Sequence, residues 1–334
     1  MARSGGALRA KRVLVTGACG FIGSHLCERL VRAGARVTAF VRYTSRGDTG
    51  LLRFAPPEVK SALEIVAGDL RDPDAVRGAC KRQDIVLHLG ALIAIPYSYV
   101  HPREVVETNV IGTLNVLEGA RAHDVARVVH TSTSEVYGTA QKVPIDEDHP
   151  RAAQSPYAAS KTGADQIARA YHRSFGTPVV TLRPFNTYGP RQSDRAVIPT
   201  IIAQALTADV VKLGATAPTR DLTFVLDTVD GFIRSATAAR GVGEEINLGT
   251  NQEISIGDLA RTIIALVGRP VKIVKEKARL RPKKSEVERL LSDYGKARRL
   301  LGWKPAVPLE KGLRETIAFV EKNMDLYMPG TYRV

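Results

Sequence analysis

Residues 12–26 read Arg12-Val13-Leu14-Val15-Thr16-Gly17-Ala18-Cys19-Gly20-Phe21-Ile22-Gly23-Ser24-His25-Leu26. Val13 to Thr16 make a short apolar and β-branched run, the pattern of a buried strand. Three glycines follow at the spacing G-x-x-G-x-x-G, and a helical periodicity starts near Ile22. Glycine permits a tight turn and a close approach of backbone N–H groups to an anion, and a helix N-terminus adds its partial positive charge. Strand, glycine turn and amphipathic helix in this order point to a dinucleotide pyrophosphate site, expected at Gly17, Gly20, Phe21, Ile22 and Gly23.

The same alternation continues outward from this stretch. Strands are expected at Arg12–Thr16, Arg36–Val41, Glu64–Ala67, Ile85–Leu89, Arg127–Thr131 and Val179–Arg183, with helices at Ile22–Ala33, Asp74–Cys80, Glu104–His123 and Tyr157–Phe175. Strands alternating with helices imply right-handed βαβ units and a parallel sheet. The expected class is therefore α/β, a Rossmann-type doubly wound parallel sheet over residues 11–185. Beyond residue 186 the alternation loosens into a smaller C-terminal α/β region, mainly substrate-binding, over residues 186–330. Its helices are expected near Val197–Leu206, Asp227–Ala238, Ile256–Val267 and Leu309–Glu321, with a strand at Val210–Leu213 and some segments returning to the sheet.

Composition narrows the function classes. The 334 residues are 44% hydrophobic and 25% charged, which excludes a disordered chain. No run of 18 apolar residues exists, so no membrane span is expected. The basic segment Met1–Lys11 has no apolar run behind it, so no secretory signal is expected. Cys19, Cys27 and Cys80 are scattered without a C-x-x-C pair, which fits free thiols and a cytoplasmic location. Basic residues exceed acidic ones, 48 to 34, for a net charge of +14. They are mixed with acids except at Arg279–Lys284, so a phosphate-bearing small molecule is favoured over nucleic acid. The seven histidines show no metal-ligand spacing, and no metal is expected.

Further candidates lie at strand ends. Asp69, in Gly68-Asp69-Leu70, is placed either to accept from an adenine amino group or to cap the next helix. Leu89-Gly90-Ala91 is small enough for close approach of a cofactor. Tyr157 and Lys161, four apart, share a helix face. An ammonium beside a phenol lowers its pKa and makes a base for a sugar hydroxyl. The fifth strand runs into Thr131-Ser132-Thr133-Ser134-Glu135-Val136-Tyr137-Gly138, hydroxyls and a carboxylate at the ligand-binding edge of a parallel sheet. His88 is expected to pack or hydrogen-bond within its strand. After the second strand comes Arg42-Tyr43-Thr44-Ser45-Arg46, with no acid until Asp48. An acid at that tip would hold both ribose hydroxyls of NAD, so its absence, with Arg42 and Ser45 present, leans toward NADP over NAD.

Thr16-Gly17-x-x-Gly20-Phe21-Ile22-Gly23, Ser132-Thr133-Ser134-Glu135-Val136-Tyr137-Gly138, Tyr157-x-x-x-Lys161 and Arg183-Pro184-Phe185-Asn186-Thr187-Tyr188-Gly189-Pro190-Arg191 together resemble the extended short-chain dehydrogenase/reductases. The resemblance spans about residues 11 to 320. Within that group the chain looks like a nucleotide-sugar 4,6-dehydratase of the GDP-mannose kind, through Arg281-Pro282-Lys283-Lys284-Ser285-Glu286-Val287-Glu288 and Leu301-Gly302-Trp303-Lys304-Pro305. Ile93–Tyr99 and Ala196–Pro199 are similar to bacterial enzymes of nucleotide-linked N-acetylglucosamine.

The resemblance implies roles. Thr133 would bind the sugar O4, Tyr157 would take its proton, and Lys161 would hold the nicotinamide ribose. Glu135 matches the glutamate that removes the C5 proton. Ser134 stands where many 4,6-dehydratases have an aspartate that protonates the leaving hydroxyl. Ser98, Asn186, Arg191, Arg220 and Arg281 would contact the nucleotide sugar, the arginines through its phosphates. A 4-epimerase or a uronate decarboxylase of the same family shares the first step. The family also implies a homodimer packed through the helices Glu104–His123 and Tyr157–Phe175, whose apolar residues include Val110, Leu114, Leu117, Ile167, Ala168 and Tyr171.

Overall fold

Both faces of the first strand are buried in the computed structural model, which describes residues 5–328. Strand β1 (Arg12–Thr16) sends Val13 and Val15 into one apolar cluster and Leu14 into another, as the two-residue period of a strand requires. Strands β2 (Arg36–Arg42), β3 (Leu63–Gly68), β4 (Ile85–His88), β5 (Arg127–Thr131), β6 (Val179–Pro184) and β7 (Glu245–Leu248) complete a seven-stranded sheet. Its order is β7-β6-β5-β4-β1-β2-β3, and every pairing is parallel. The order reverses between β1 and β4, and ligands bind such sheets above the carboxyl ends at that reversal. The Rossmann-type architecture expected from the glycine stretch is the one observed.

Helices cover both faces. α1 (Phe21–Arg32) contributes Leu26 and Leu30 to the cluster that holds Val13, Val15, Leu87, Val129 and Val180. On the opposite face α2 (Pro73–Cys80) and α3 (Gly112–Ala122) bring Val76, Ala79, Val116 and Leu117 against Leu14, Val86 and Val128. Burying each such side chain contributes about 1.5–3 kcal/mol. α4 (Pro156–Phe175) begins at Ser155, whose hydroxyl accepts the Ala158 N–H, and ends at Gly176 with φ +68°. The second half adds α5 (Val197–Thr207), α6 (Val225–Thr237), α7 (Ile256–Val267) and α8 (Leu309–Lys322). Residues 210–213 pair in parallel with 272–275, and residues 219–221 lie between 253–255 and 289–290.

Four expectations change. The single helix Glu104–His123 is broken: Pro102–Val106 is α-helical, Glu107–Ile111 forms a π-helical turn, and α3 follows. That wide turn carries Asn109, whose amide oxygen accepts the Leu92 N–H while its nitrogen donates to the Leu92 carbonyl and the Ser160 hydroxyl. α2 is capped by Asp72, which accepts from the Asp74 and Ala75 N–H groups, and not by Asp69. Leu117 and Ala168, read as candidate dimer surface, are buried in the chain's own core, while Val106, Ile111 and Phe175 are exposed on these helices. The seventh strand was expected only as an unplaced segment returning to the sheet, because Glu245-Ile246-Asn247-Leu248 is short and half polar.

Residues 1–4 of the basic segment Met1–Lys11, and residues 329–330 at the end of the expected second region, lie outside the described residues. Among the described residues no helix is long and apolar enough to cross a membrane.

The glycine turn is held by close backbone packing. Gly17 has φ +68°, and a Cβ there would lie 2.8 Å from the Gly90 nitrogen; one on Gly23 would lie 2.2 Å from the Gly17 carbonyl oxygen. Gly23→Ala is therefore expected to lower stability by about 1–3 kcal/mol and to displace the turn. Calorimetry and a dinucleotide titration check this; unaltered dinucleotide affinity would contradict it.

Candidate active site

No side chain caps α1. Gly20 occupies its N-cap position, which leaves the first-turn N–H groups for an anion. A Cβ on Gly20 would meet only the Gly17 carbonyl, at 3.2 Å, so the turn is an open cradle that a side chain would fill. Phe21 and Ile22 are half-buried at the start of the helix. Across the turn Gly90 is packed against Leu70, whose Cδ1 would stand 2.6 Å from an added Cβ, and Leu89 and Ala91 are half-buried beside it. The cradle fits a dinucleotide pyrophosphate. Thr16 Oγ1 accepts the Gly90 N–H and lies 2.7 Å from His88 Nδ1, and the other His88 nitrogen meets Thr113, so His88 is a structural hydrogen-bonder.

Arg42 is the last residue of β2, beside Gly68 on β3, and its exposed guanidinium lies 3.8 Å from Glu104. Ser45 is exposed in the loop that follows. Asp69 is gripped by Arg71 at 3.0 and 2.7 Å, and this hydrogen bonding holds its carboxyl below the ordinary carboxylate value.

At the end of β5 the chain alternates. Ser132, Ser134, Val136 and Tyr137 are buried, whereas Thr133 and Glu135 are half-buried. Ser134, expected among the catalytic positions, is only 1% exposed. Tyr157 and Lys161 are 8% and 4% exposed on α4. The expected lowering of the Tyr157 phenol is not found: burial pushes it above its ordinary value, the Thr133 hydroxyl opposes this, and the charges of Glu135 and Asp165 add to it. Burial likewise lowers Lys161 to about 8, against the attraction of Asp165. Thr133, Glu135 and Tyr157 thus lie near one another, with Lys161 one turn further along α4 beside Asp165.

Of the expected substrate contacts, two are committed elsewhere. Ser98 is fully buried, and its hydroxyl donates to the Ile95 carbonyl within its own helical turn. Arg191 is buried against α1, donating to Glu28 at 3.0 Å, the Phe54 carbonyl at 3.2 Å and Ser24 at 3.4 Å. Its guanidinium ties the second half to the first through these bonds. Arg220 and Arg281 converge on Glu286 at 3.3 and 3.6 Å, and Arg220 also feels the charge of Glu135. The half-buried Asn186 makes no side-chain hydrogen bond among the described residues.

A buried polar cluster beneath the site escaped the sequence reading. Asp165, one turn beyond Lys161, accepts from Ser132 at 2.6 Å and Arg183 at 2.9 Å, and lies 3.0 Å from His130 Nε2. Arg183 also donates to Tyr137 at 2.6 Å and Glu245 at 3.2 Å, and Tyr137 donates to Asn247 at 2.9 Å. Burial raises the Asp165 carboxyl, but its hydrogen bonds and the Arg183 charge outweigh this and hold it far below the carboxylate range. The signal was available: Tyr157, Lys161 and Asp165 recur every four residues, one helix face.

Known proteins resemble the chain over nearly its whole length. A UDP-glucose 4-epimerase of Mycolicibacterium smegmatis is 36% identical over 314 residues, covering 92% of this chain and 98% of that one. A dTDP-glucose 4,6-dehydratase of Actinoplanes sp. is 33% identical over 318 residues, covering 93% and 98%. The crystal structure of a dTDP-glucose 4,6-dehydratase of Streptomyces venezuelae with NAD bound superimposes with a TM-score of 0.83 at 32% identity, covering 95% and 98%. The family profile described as GDP-mannose 4,6 dehydratase matches residues 14–316, so the chain belongs to the GDP-mannose 4,6 dehydratase family of nucleotide-sugar dehydratases, epimerases and decarboxylases.

Proposed function

We propose that the protein is a nucleotide-sugar 4,6-dehydratase that uses a nicotinamide dinucleotide. The reading rests on Glu135, a half-buried carboxylate that faces both Tyr157 and Arg220 and stands two residues from Thr133. A 4-epimerase has no use for such a carboxylate. The 36% identical epimerase favours that second reading, and a uronate decarboxylase, which can carry the same Thr-Ser-Glu triplet, stays the third.

In this reading residues 11–185 hold the dinucleotide and residues 186–330 supply most substrate contacts. A nicotinamide dinucleotide held at Gly17, Gly20, Phe21, Ile22 and Gly23 and by Lys161 would supply the hydride acceptor for C4, the hydride donor for C6 and, in its oxidised form, a positive charge near the Tyr157 phenol. Thr133 hydrogen-bonds the sugar O4, and Tyr157 takes the O4 proton as the 4-keto group forms. Lys161 holds the nicotinamide ribose. The keto group acidifies C5–H, Glu135 removes that proton, and the C6 hydroxyl departs as water. Buried Ser134 is a poor source of the proton for that water, which leaves Glu135, carrying the proton taken from C5, as the nearer donor, and C5 takes a proton from solvent as hydride reaches C6. Arg220, Arg281 and the unpaired Asn186 amide suit the diphosphate and nucleoside, with Glu286 as the counter-ion the phosphates replace.

Offering nucleotide sugars in turn and weighing the products tests the reading. Loss of water is expected; inversion without mass change, or loss of carbon dioxide, selects a rival. Glu135→Gln should then still form reduced cofactor while dehydration falls by about two or more orders of magnitude. Near-normal dehydration in that variant would remove Glu135 from the C5 role.

For the cofactor, Arg42 at the open tip of β2 leans toward NADP, whereas the Streptomyces enzyme was crystallised with NAD. Titrating the protein with both nucleotides should show tighter NADP binding that Arg42→Ala removes. Tighter NAD binding, indifferent to that substitution, assigns NAD instead.

A homodimer through α3 and α4 accounts for exposed Val106, Ile111 and Phe175 on and beside those helices. Light scattering at micromolar concentration is expected to give twice the chain mass, and a monomer mass rejects the dimer.

A further inference from the structure

We propose that Asp165 is a positioning residue of the candidate site, fixing through Ser132 and Arg183 how the Thr133 loop stands against the helix of Tyr157 and Lys161, and supplying the anion that faces Lys161. Nothing in the proposed reaction uses Asp165 directly; the inference rests on that reading only for the rate it measures.

The geometry carries it. Asp165 is 0% exposed and sits at the third position of the Tyr157, Lys161, Asp165 series on one face of α4. Its carboxylate takes the Ser132 hydroxyl at 2.6 Å, and Ser132 is the residue before Thr133. The same Ser132 oxygen accepts from Arg183 Nε at 3.2 Å, while another Arg183 nitrogen returns to Asp165. The end of β5, the catalytic helix and β6 are thereby closed into one ring of hydrogen bonds below the crevice. A carboxamide at position 165 could keep part of this ring but not the charge.

The charge bears on Lys161. The groups that face it are Asp165 on its own helix, His130 from β5 and His88 from β4, with Arg183 from β6 paired to Asp165 and Glu135 facing Tyr157 one turn earlier on the helix. Burial lowers both histidines from their ordinary value, which favours the neutral rings, so neither sets a charge beside Lys161. His130 Nδ1 is buried without a partner, which fits a neutral ring donating Nε2–H to Asp165. Asp165 alone raises the affinity of buried Lys161 for its proton.

The test uses the full chain with 13C at lysine Cε, the Lys161 resonance being the one lost in Lys161→Met. In Asp165→Asn its titration midpoint should fall by about one pH unit or more, and Asp165→Glu should restore it. With a nucleotide sugar that the unsubstituted protein oxidises, Asp165→Asn should lower kcat for cofactor reduction about tenfold at neutral pH, shift the pH profile the same way and leave KM nearly unchanged. Ser132→Ala, which keeps the charge, should lower kcat without moving the Lys161 midpoint. If Asp165→Asn fails to fold because Arg183 loses its partner, Asp165→Asn with Arg183→Met removes both charges and is read in the same way. An unmoved midpoint and an unmoved pH profile overturn the proposal. Absence of turnover in the unsubstituted protein overturns the functional reading instead, and the Lys161 titration still judges Asp165.

Discussion

Arg183 is a guanidinium with no solvent exposure, and a charge in that position costs several kcal/mol unless it is paired and hydrogen-bonded. Its partners come from three parts of the fold: Ser132 and Tyr137 on the loop after β5, Asp165 on α4, Glu245 on β7. Burial opposes the cation, and Tyr137, Asp165 and Glu245 outweigh that opposition. Because every nitrogen needs its acceptor, the loop, helix and last strand have one mutual arrangement. The half-exposed Thr133 and Glu135 are carried on a segment whose other residues are held from below. Precision at the surface of the crevice thus derives from a charge that never reaches it.

Much of the fold was legible because period and punctuation agree. Val13 and Val15 against Leu14, then three spaced glycines, then an amphipathic helix, specify a strand, a turn and a covering layer at once. The failures have local causes. Glu245 and Asn247 alternate with Ile246 and Leu248 as they would on an exposed edge, yet their polar groups are buried as partners of Arg183 and Tyr137. Alternation shows which residues share a face but not whether that face meets water or a buried ion. The π-helical turn was invisible for a similar reason, since its residues have ordinary helical character and only the contacts of Asn109 give it away.

At the site, residues with distinctive chemistry in a short motif, Thr133, Glu135, Tyr157 and Lys161, could be singled out from the sequence, and the structure sets them half-buried or buried after β5 and on α4. Arginines and serines were harder. Arg191, Arg220 and Arg281 are the same residue type, yet one is bound to Glu28 while two share Glu286 near Glu135. Sequence gives a guanidinium but not which carboxylate reaches it first. Ser98 was misread on the same ground, because a hydroxyl in a helical turn has its own backbone carbonyl as a standing alternative partner. The phenol of Tyr157 adds an energetic lesson: neighbours were considered, and burial, the larger effect, was not.

The turn at Glu107–Ile111 sets a limit on how this chain can vary in length. A π-helical turn accommodates one residue more than a regular helix spanning the same rise. Deleting a single residue there would restore regular winding while the helix beyond it kept its face, and the residues of the turn itself would shift around the axis by up to about 100°. Asn109 would then swing away from both Leu92 and Ser160, which it now joins. The loop after β4 and the helix of Tyr157 would lose a side chain that bonds to both while the helix itself became more regular. An apparent flaw in winding is therefore the spacer that keeps the two halves of the crevice in register.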